Sequence, residues 1–241
     1  MIEILQKIIA IFMDYIVGES FVQKKLKNKN VKKIIDLYAK TDYTKSFVKF
    51  RFWFGPLYEV NNLTPKFGTI LDIGSGEGIL ANFLALNNVK RKVVGVEINK
   101  DRIKEANKGL KNTKFIAKSA FSATLPKADA IVVSHVMHHL GSMKLQEKLL
   151  DVVYKKLKKN GKFILAEVDR EFSLRYLFGF FADTVPIPIF FEKKLFDFKI
   201  YHRSKKDWTK LLKKHGFKIV YQKNTEDRAY PEVIFVAIKN D

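Results

Sequence analysis

Leu71-Asp72-Ile73-Gly74-Ser75-Gly76-Glu77-Gly78 is an apolar run that gives way to three alternating glycines and then to a helix-like stretch. The order reads as strand, tight turn and helix. Glycine permits the turn and lets a ligand approach the backbone without interference from a Cβ atom. A dinucleotide-binding loop would place its third glycine at position 79, which is Ile79. Here the third glycine falls at Gly78, and that Gly-x-Gly-x-Gly spacing disfavours a nicotinamide dehydrogenase. About twenty residues further on, Glu97 ends the next apolar run, where an acid accepts hydrogen bonds from ribose hydroxyls. Either feature alone is weak. Together, in this order, they are strong.

Working outward, short apolar runs alternate with amphipathic stretches, the pattern of a parallel sheet wound with helices. Strands are predicted at Thr69–Ile73, Lys92–Glu97, Thr113–Ala117, Ala128–Ser134 and Lys162–Val168. Helices are predicted at Gly78–Asn87, Lys100–Leu110 and Ser142–Lys158, the last closed by Asn160-Gly161. A helix at Ser204–His215 ends at Gly216, and Phe217–Lys223 and Glu232–Ile238 read as an antiparallel strand pair. Before the glycine loop, Ile2, Leu5, Ile9, Phe12 and Ile16 recur at helical spacing, so residues 2–17 read as a helix. Gly18 ends it, and a second helix with a Lys-rich face is expected over roughly Phe21–Ala39.

Three blocks, LDIGSGEGILA, VVGVEINKDRIKEA and ADAIVVSHVMHHL followed by LKKNGKFILAEVD, resemble the class I S-adenosylmethionine-dependent methyltransferases, with a weaker echo in HGFKIV. The resemblance implies an α/β fold: a doubly wound, seven-stranded, mostly parallel sheet with an antiparallel last strand. It also implies S-adenosylmethionine as cofactor. Carried over by position, Gly74, Gly76 and Gly78 line the methionine half of the cofactor and Asp72 orders the loop. Glu97 holds the ribose, and Ser134 and His135 present backbone atoms. Ser75, Ile98, Ser119 and Ala120 complete the cofactor-binding set. The third strand leads into Lys118-Ser119-Ala120 where the family has Gly-Asp-Ala, so Ser119 replaces the aspartate that reads the adenine amino group; it can still accept a hydrogen bond, and a weaker or altered adenine contact is expected rather than loss of binding. The whole chain is read as one methyltransferase domain: a helical cap (1–64), a cofactor-binding core (65–169), an aromatic insertion (170–203) and a C-terminal helix and strand pair (204–241).

Methyl transfer needs a positioned nucleophile and, for a hydroxyl or amine, a base to take its proton. His139 and His138 are the candidates after the fourth strand, and Asp169 is a third at the end of the fifth. The competing reading of the histidines is a structural signature at the start of a helix; for Glu167 and Asp169 it is loop ordering. No metal site is read from the sequence. The absence of cysteine excludes disulfides, thiolate zinc sites and iron–sulfur clusters, and with them radical chemistry on the cofactor.

Phe172–Tyr201 holds ten aromatics, with a Pro186-Ile187-Pro188 break, and Tyr43–Tyr58 holds seven among Lys45, Lys49 and Arg51. Such segments are expected to form an apolar lid above the cofactor and to make the acceptor a small, amphiphilic or lipid-like molecule. The net charge of +20 favours polyanions, and a lysine-rich bias of a thermophile kind competes strongly as its explanation. Peripheral contact with an anionic membrane is one reading, with Lys193 and Lys194 among the basic neighbours. RNA ranks behind, because Ser134-His135-Val136-Met137 stands where base amino-group methylation has an Asn-Pro-Pro-aromatic motif. A non-enzymatic cofactor-binding module is the remaining alternative. Ile8–Met13, the longest unbroken apolar run of the N-terminal stretch, is too short to span a bilayer, and no signal-peptide pattern precedes it, so a cytoplasmic location is expected.

Overall fold

The structure, a computed structural model, describes residues 2–17, 28–185, 199–225 and 230–239. Seven strands form one sheet: β1 (Gly68–Ile73), β2 (Arg91–Glu97), β3 (Thr113–Ala117), β4 (Ala128–Ser134), β5 (Leu157–Val168), β6 (Phe217–Thr225) and β7 (Glu232–Lys239). Their order is β3-β2-β1-β4-β5-β7-β6. Neighbours from β3 to β5 pair in parallel, while β7 runs antiparallel to both β5 and β6. The chain order reverses between β1 and β4. In a doubly wound sheet that switch opens a crevice at the carboxyl ends of the strands.

Alternation along each strand splits the core into two layers. Ile70, Val93, Ala130, Val132, Ile164 and Ile234 face one side. Against them pack α2 (Lys29–Tyr38), α3 (Asp42–Phe54), α4 (Leu57–Leu63) and α5 (Ile79–Asn87). Leu71, Ile73, Ile131, Val133, Leu165 and Phe235 face the other, under α7 (Met143–Lys156) and α9 (Lys205–Lys214). The remaining helices are α1 (Ile2–Val17), α6 (Lys100–Ala106) and α8 (Leu174–Thr184). Starts are marked by side-chain caps: Ser142 accepts from Leu145 N, Ser173 from Tyr176 N, and Ser204 forms a capping box with Asp207.

The five predicted core strands and the terminal pair are present, and the glycine loop joins β1 to α5. Four features differ from expectation. The expected helix over Lys100–Leu110 ends at Ala106, with Asn107 already in an extended conformation. The expected helix through Lys158 stops at Lys156, and β5 starts at Leu157, accommodating Asn160 at φ +59°. The N-terminal helix buries Ala10, Met13 and Val17 and leaves Phe12 exposed, since only a narrow stripe of α1 is covered. Its Asp14 pairs with Lys49 of α3 at 3.1 Å. Finally, α8 occupies the first part of the aromatic insertion and turns Leu174, Leu177, Phe178 and Phe181 outward. The start of the second expected helix with Gly18, the Pro186-Ile187-Pro188 break, Lys193 and Lys194 lie outside the described residues.

Candidate active site

β1 delivers the chain to the carboxyl end of the sheet, and the loop Gly74–Gly78 turns it into α5 with Gly74, Gly76 and Gly78 all at positive φ. The turn is held from both sides. Gly74 N–H and Ser75 N–H donate to the carbonyl of Val96 at 2.8 and 3.1 Å, and Tyr38 of α2 donates its hydroxyl to the carbonyl of Glu77 at 2.6 Å. Glu97, at the end of β2, accepts from Gly76 N–H at 3.1 Å through Oε2 and from Asn99 N–H at 2.9 Å through Oε1. Each carboxylate oxygen keeps a second lone pair for a ligand hydroxyl.

Above these residues lies a cavity of about 880 Å³. Gly74, Ser75, Gly76, Glu97, Ile98, Ser119 and Ala120 line one part of it, and Ser134, His135, His138 and His139 line the part beyond β4. The glycines divide by role. A Cβ on Gly76 would meet nothing within 4 Å, whereas one on Gly78 would stand 2.7 Å from Ala106 Cβ and 2.9 Å from the Phe115 ring. Gly78 therefore lies behind the cavity wall and serves the packing of α5. Asp72 also sits below the loop, buried, with its Oδ2 unpartnered. Burial pushes its carboxyl up to about 7 against the pull of Arg51. Asp169 lies outside the cavity: past Val168 the chain bridges to Arg203, and the carboxylate accepts from Lys205 N–H at 2.7 Å, tying β5 to α9.

The segment after β4 is organised by Glu167. Its Oε1 accepts from Val136 N–H at 3.0 Å and Met137 N–H at 2.7 Å, and its Oε2 pairs with His138 Nδ1 at 2.5 Å. These bonds shape the 3₁₀ turn Met137–His139. Burial alone would push His138 down, but Glu167 and Asp183 raise it to about 9. Burial likewise opposes the ionisation of Glu167, yet the His138 cation holds its carboxyl down at about 2. His139 is exposed to the cavity yet hemmed in by protein. That desolvation, with the His138 cation beside it, keeps its imidazole down at about 3 and neutral. His135, at φ +54°, donates its backbone N–H to the carbonyl of Ala166 and shares a 3.0 Å hydrogen bond between Nε2 and the Tyr230 hydroxyl.

The opposite wall is aromatic. Phe47, Phe50 and Phe54 of α3 line it with Arg51, and Phe54 packs on Tyr230 at 4.3 Å between centroids. From α8 only Gly179 and Asp183 reach the cavity; its described rings do not, because Tyr176 and Phe180 turn to His202 and the others face out. Sequence reasoning missed Tyr38, Tyr230, Asp183 and His202. None lies in a motif, and each reaches the site from a separate element.

The residues fit the cofactor implied by the sequence. Open space stands where a Gly76 side chain would be, a ribose-type acid adjoins it, and Ser75 Oγ and His135 Nδ1 are buried at the cavity without partners.

Comparison with known proteins agrees. The family described as a methyltransferase domain matches residues 47–222. O-methyltransferase 12 of Dictyostelium discoideum is 26% identical over 162 residues, 66% of this chain, which spans only 41% of that relative. A methyltransferase from Methanosarcina mazei shares the fold with a TM-score of 0.58 at 21% identity, over 75% of this chain and 96% of that one. An O-methyltransferase family 2 protein from Planctomyces limnophilus, solved with apigenin, superposes with a TM-score of 0.60 at 14% identity, over 76% and 56%. The match covers well over half of the chain, and the chain belongs to the methyltransferase-domain family, of the class I S-adenosylmethionine-dependent type.

Proposed function

We propose that the protein transfers a methyl group from S-adenosylmethionine to a heteroatom of a small or amphiphilic, mainly apolar acceptor. The observation that carries this reading is continuity: one cavity runs from the glycine loop and Glu97, past His138 and His139, to the rings of Phe47, Phe50 and Phe54. The polar end suits a nucleoside and the aromatic wall suits an apolar body. An O-methyltransferase among the relatives and an apigenin-bound neighbour support a hydroxylated, ring-bearing acceptor.

When bound, the cofactor supplies an electrophilic methyl on a sulfonium. The protein's share is to hold, orient and keep the site dry. The backbone of Gly74–Gly76 and the Glu97 carboxylate hold the nucleoside and methionine portions, with Ser119 and Ala120 toward the base and Ser134 and His135 beyond β4. Phe50 and Phe54 exclude water from the acceptor side. His139, neutral and facing the cavity, takes the acceptor's proton; it is a weak base, but the proton becomes strongly acidic as the new bond forms. Asp169 acts at a distance, by fixing the end of β5.

The test is transfer from labelled cofactor to a panel of hydroxylated aromatics, amphiphilic lipids and RNA. Saturable transfer to apolar hydroxylated compounds is expected. Transfer to RNA alone, or to nothing by a protein that binds S-adenosylhomocysteine, contradicts the reading.

Contact with anionic membrane surfaces is part of the proposal. Ile8, Ile11, Phe12 and Tyr15 on α1, and Phe172 with the outward residues of α8, expose apolar side chains beside a strongly basic chain. Among the described residues no helix is long and apolar enough to cross a membrane.

A further inference from the structure

His138, Asp183 and His202 come from three separate segments and bring three ligand atoms within 4.8 Å of one another. All three residues are buried. Asp183 Oδ2 lies 3.2 Å from His202 Nε2 and 3.8 Å from His138 Nε2. The second distance is too long for a hydrogen bond. Both suit ligands sharing one ion, since tetrahedral bonds of about 2.1 Å put neighbouring donors about 3.4 Å apart.

The outer contacts point the same way. Each histidine turns Nε2 toward Asp183 and gives Nδ1 to another group: His138 to Glu167 at 2.5 Å, His202 to the Tyr176 hydroxyl at 3.3 Å. Metal-ligating histidines are held in this manner, with the far nitrogen fixed by a carboxylate or another polar group. The backbone is pinned as well. Tyr201 N–H donates to the carbonyl of His138 at 2.9 Å, and Gln146 Nε2 donates to the carbonyls of Met137 and Tyr201, which fixes the two histidines relative to each other. Charge completes the case. Glu167 and Asp183 are two buried carboxylates, and with neutral imidazoles as ligands a divalent cation balances them.

We propose that His138, Asp183 and His202 form a binding site for a divalent first-row transition ion, with Zn2+ the best fit, held by three protein ligands. Imidazole and carboxylate donors suit such ions, and a three-ligand set leaves a position open. His138 and Asp183 line the cavity, so the open position is reached from it. An ionised oxygen of the acceptor is the ligand class that fits there, as a metal-bound hydroxyl is more acidic. That role rests on the methyl-transfer function proposed above; the metal site does not.

The test uses untagged full-length protein treated with chelator and titrated with Co2+, then with Zn2+ in competition. One equivalent of Co2+ should bind with visible absorption of a nitrogen–oxygen site and be displaced by Zn2+, which should also raise the melting temperature. Asp183→Asn and His202→Gln should each weaken binding at least tenfold and lose the Zn2+-induced shift, with melting of the metal-free variants reporting that they fold. Tyr176→Phe should weaken it about tenfold through the Nδ1 contact. His215→Ala, which removes a histidine near Asp151 and Glu147, should bind as wild type. No stoichiometric binding by the wild type, unchanged affinity in both pocket variants, or loss of the metal in His215→Ala alone overturns the proposal. Calorimetry with S-adenosylhomocysteine on the same samples separates the two readings. Cofactor binding without metal binding sinks the metal site alone, and metal binding without cofactor binding supports the metal site while sinking the methyl-transfer reading.

Discussion

The backbone N–H of Gly76, in the loop after β1, donates at 3.1 Å to the carboxylate of Glu97, 21 positions on at the end of the neighbouring parallel strand β2. The acid at the end of β2 thus holds the glycine loop at the end of β1. Removing the Glu97 carboxylate takes away charge-assisted bonds worth roughly 1.5–3 kcal/mol and frees the loop. Glu97→Ala should weaken S-adenosylhomocysteine binding about ten- to a hundredfold, with Glu97→Gln between it and wild type. Calorimetric affinities within threefold of wild type would place the ribose elsewhere.

Gly76 and Gly78 should separate binding from stability. Gly76→Val projects into open space, so only backbone strain of about 1–2 kcal/mol opposes folding. It should lower Tm by a few degrees and cofactor affinity at least about tenfold. Gly78→Val meets Ala106 and Phe115 and should cost roughly 3 kcal/mol or more, about 6 °C or more in Tm. Melting curves and titrations on both variants check this; equal Tm losses would refute the division of roles.

Asp72 makes stability depend on pH. Burial raises its folded pKa to about 7 from 3.8. Below pH 4 the carboxyl is protonated in both folded and unfolded chains and costs nothing. Between 4 and 7 the unfolded chain releases a proton the fold retains, so stability falls as pH rises, by at most about 4 kcal/mol. Above 7 the full cost persists. Asp72→Asn should therefore gain Tm over wild type from pH 5 to pH 8. Parallel Tm–pH curves for the two proteins would show that the carboxyl is not desolvated in solution.

Glu167 is the anchor of the turn after β4. Glu167→Ala leaves two backbone donors and the buried His138 without their acceptor, a change that costs about 3–5 kcal/mol for a broken buried pair. Thermal melting should fall by about 6 °C or more, with Glu167→Gln milder. A near-neutral Glu167→Ala would mean the turn is held by other contacts.

Membrane contact makes a separable forecast. Sedimentation with anionic vesicles should retain the protein at low salt and release it at high salt. Phe12→Asp and Phe178→Asp, both at exposed positions, should lose retention without loss of Tm. Equal partition to neutral vesicles, or indifference to both substitutions, would assign the outward apolar faces to something else.

The sequence by itself determined the sheet and its cofactor end, because both are local. Alternation of apolar runs and helices placed the strands. The glycine spacing at 74, 76 and 78 and the acid at 97 depend only on the turn between adjacent elements. It also placed His135, His138 and His139 together, as neighbours in the chain. Only the tertiary structure decided what each residue faces. Gly78 and Asp72 turn behind the cavity wall, Asp169 turns to α9, and of the α8 rings Phe178 and Phe181 turn outward while Tyr176 and Phe180 turn to His202, since one helix has a covered and an uncovered side that a count of aromatics does not distinguish. Asp183 and His202 carry no motif, and they meet His138 only because α8 and the segment before α9 are folded back over the end of β5. A site built from three distant segments leaves no spacing in the sequence, and its chemistry exists only once packing has excluded water from the charges it gathers.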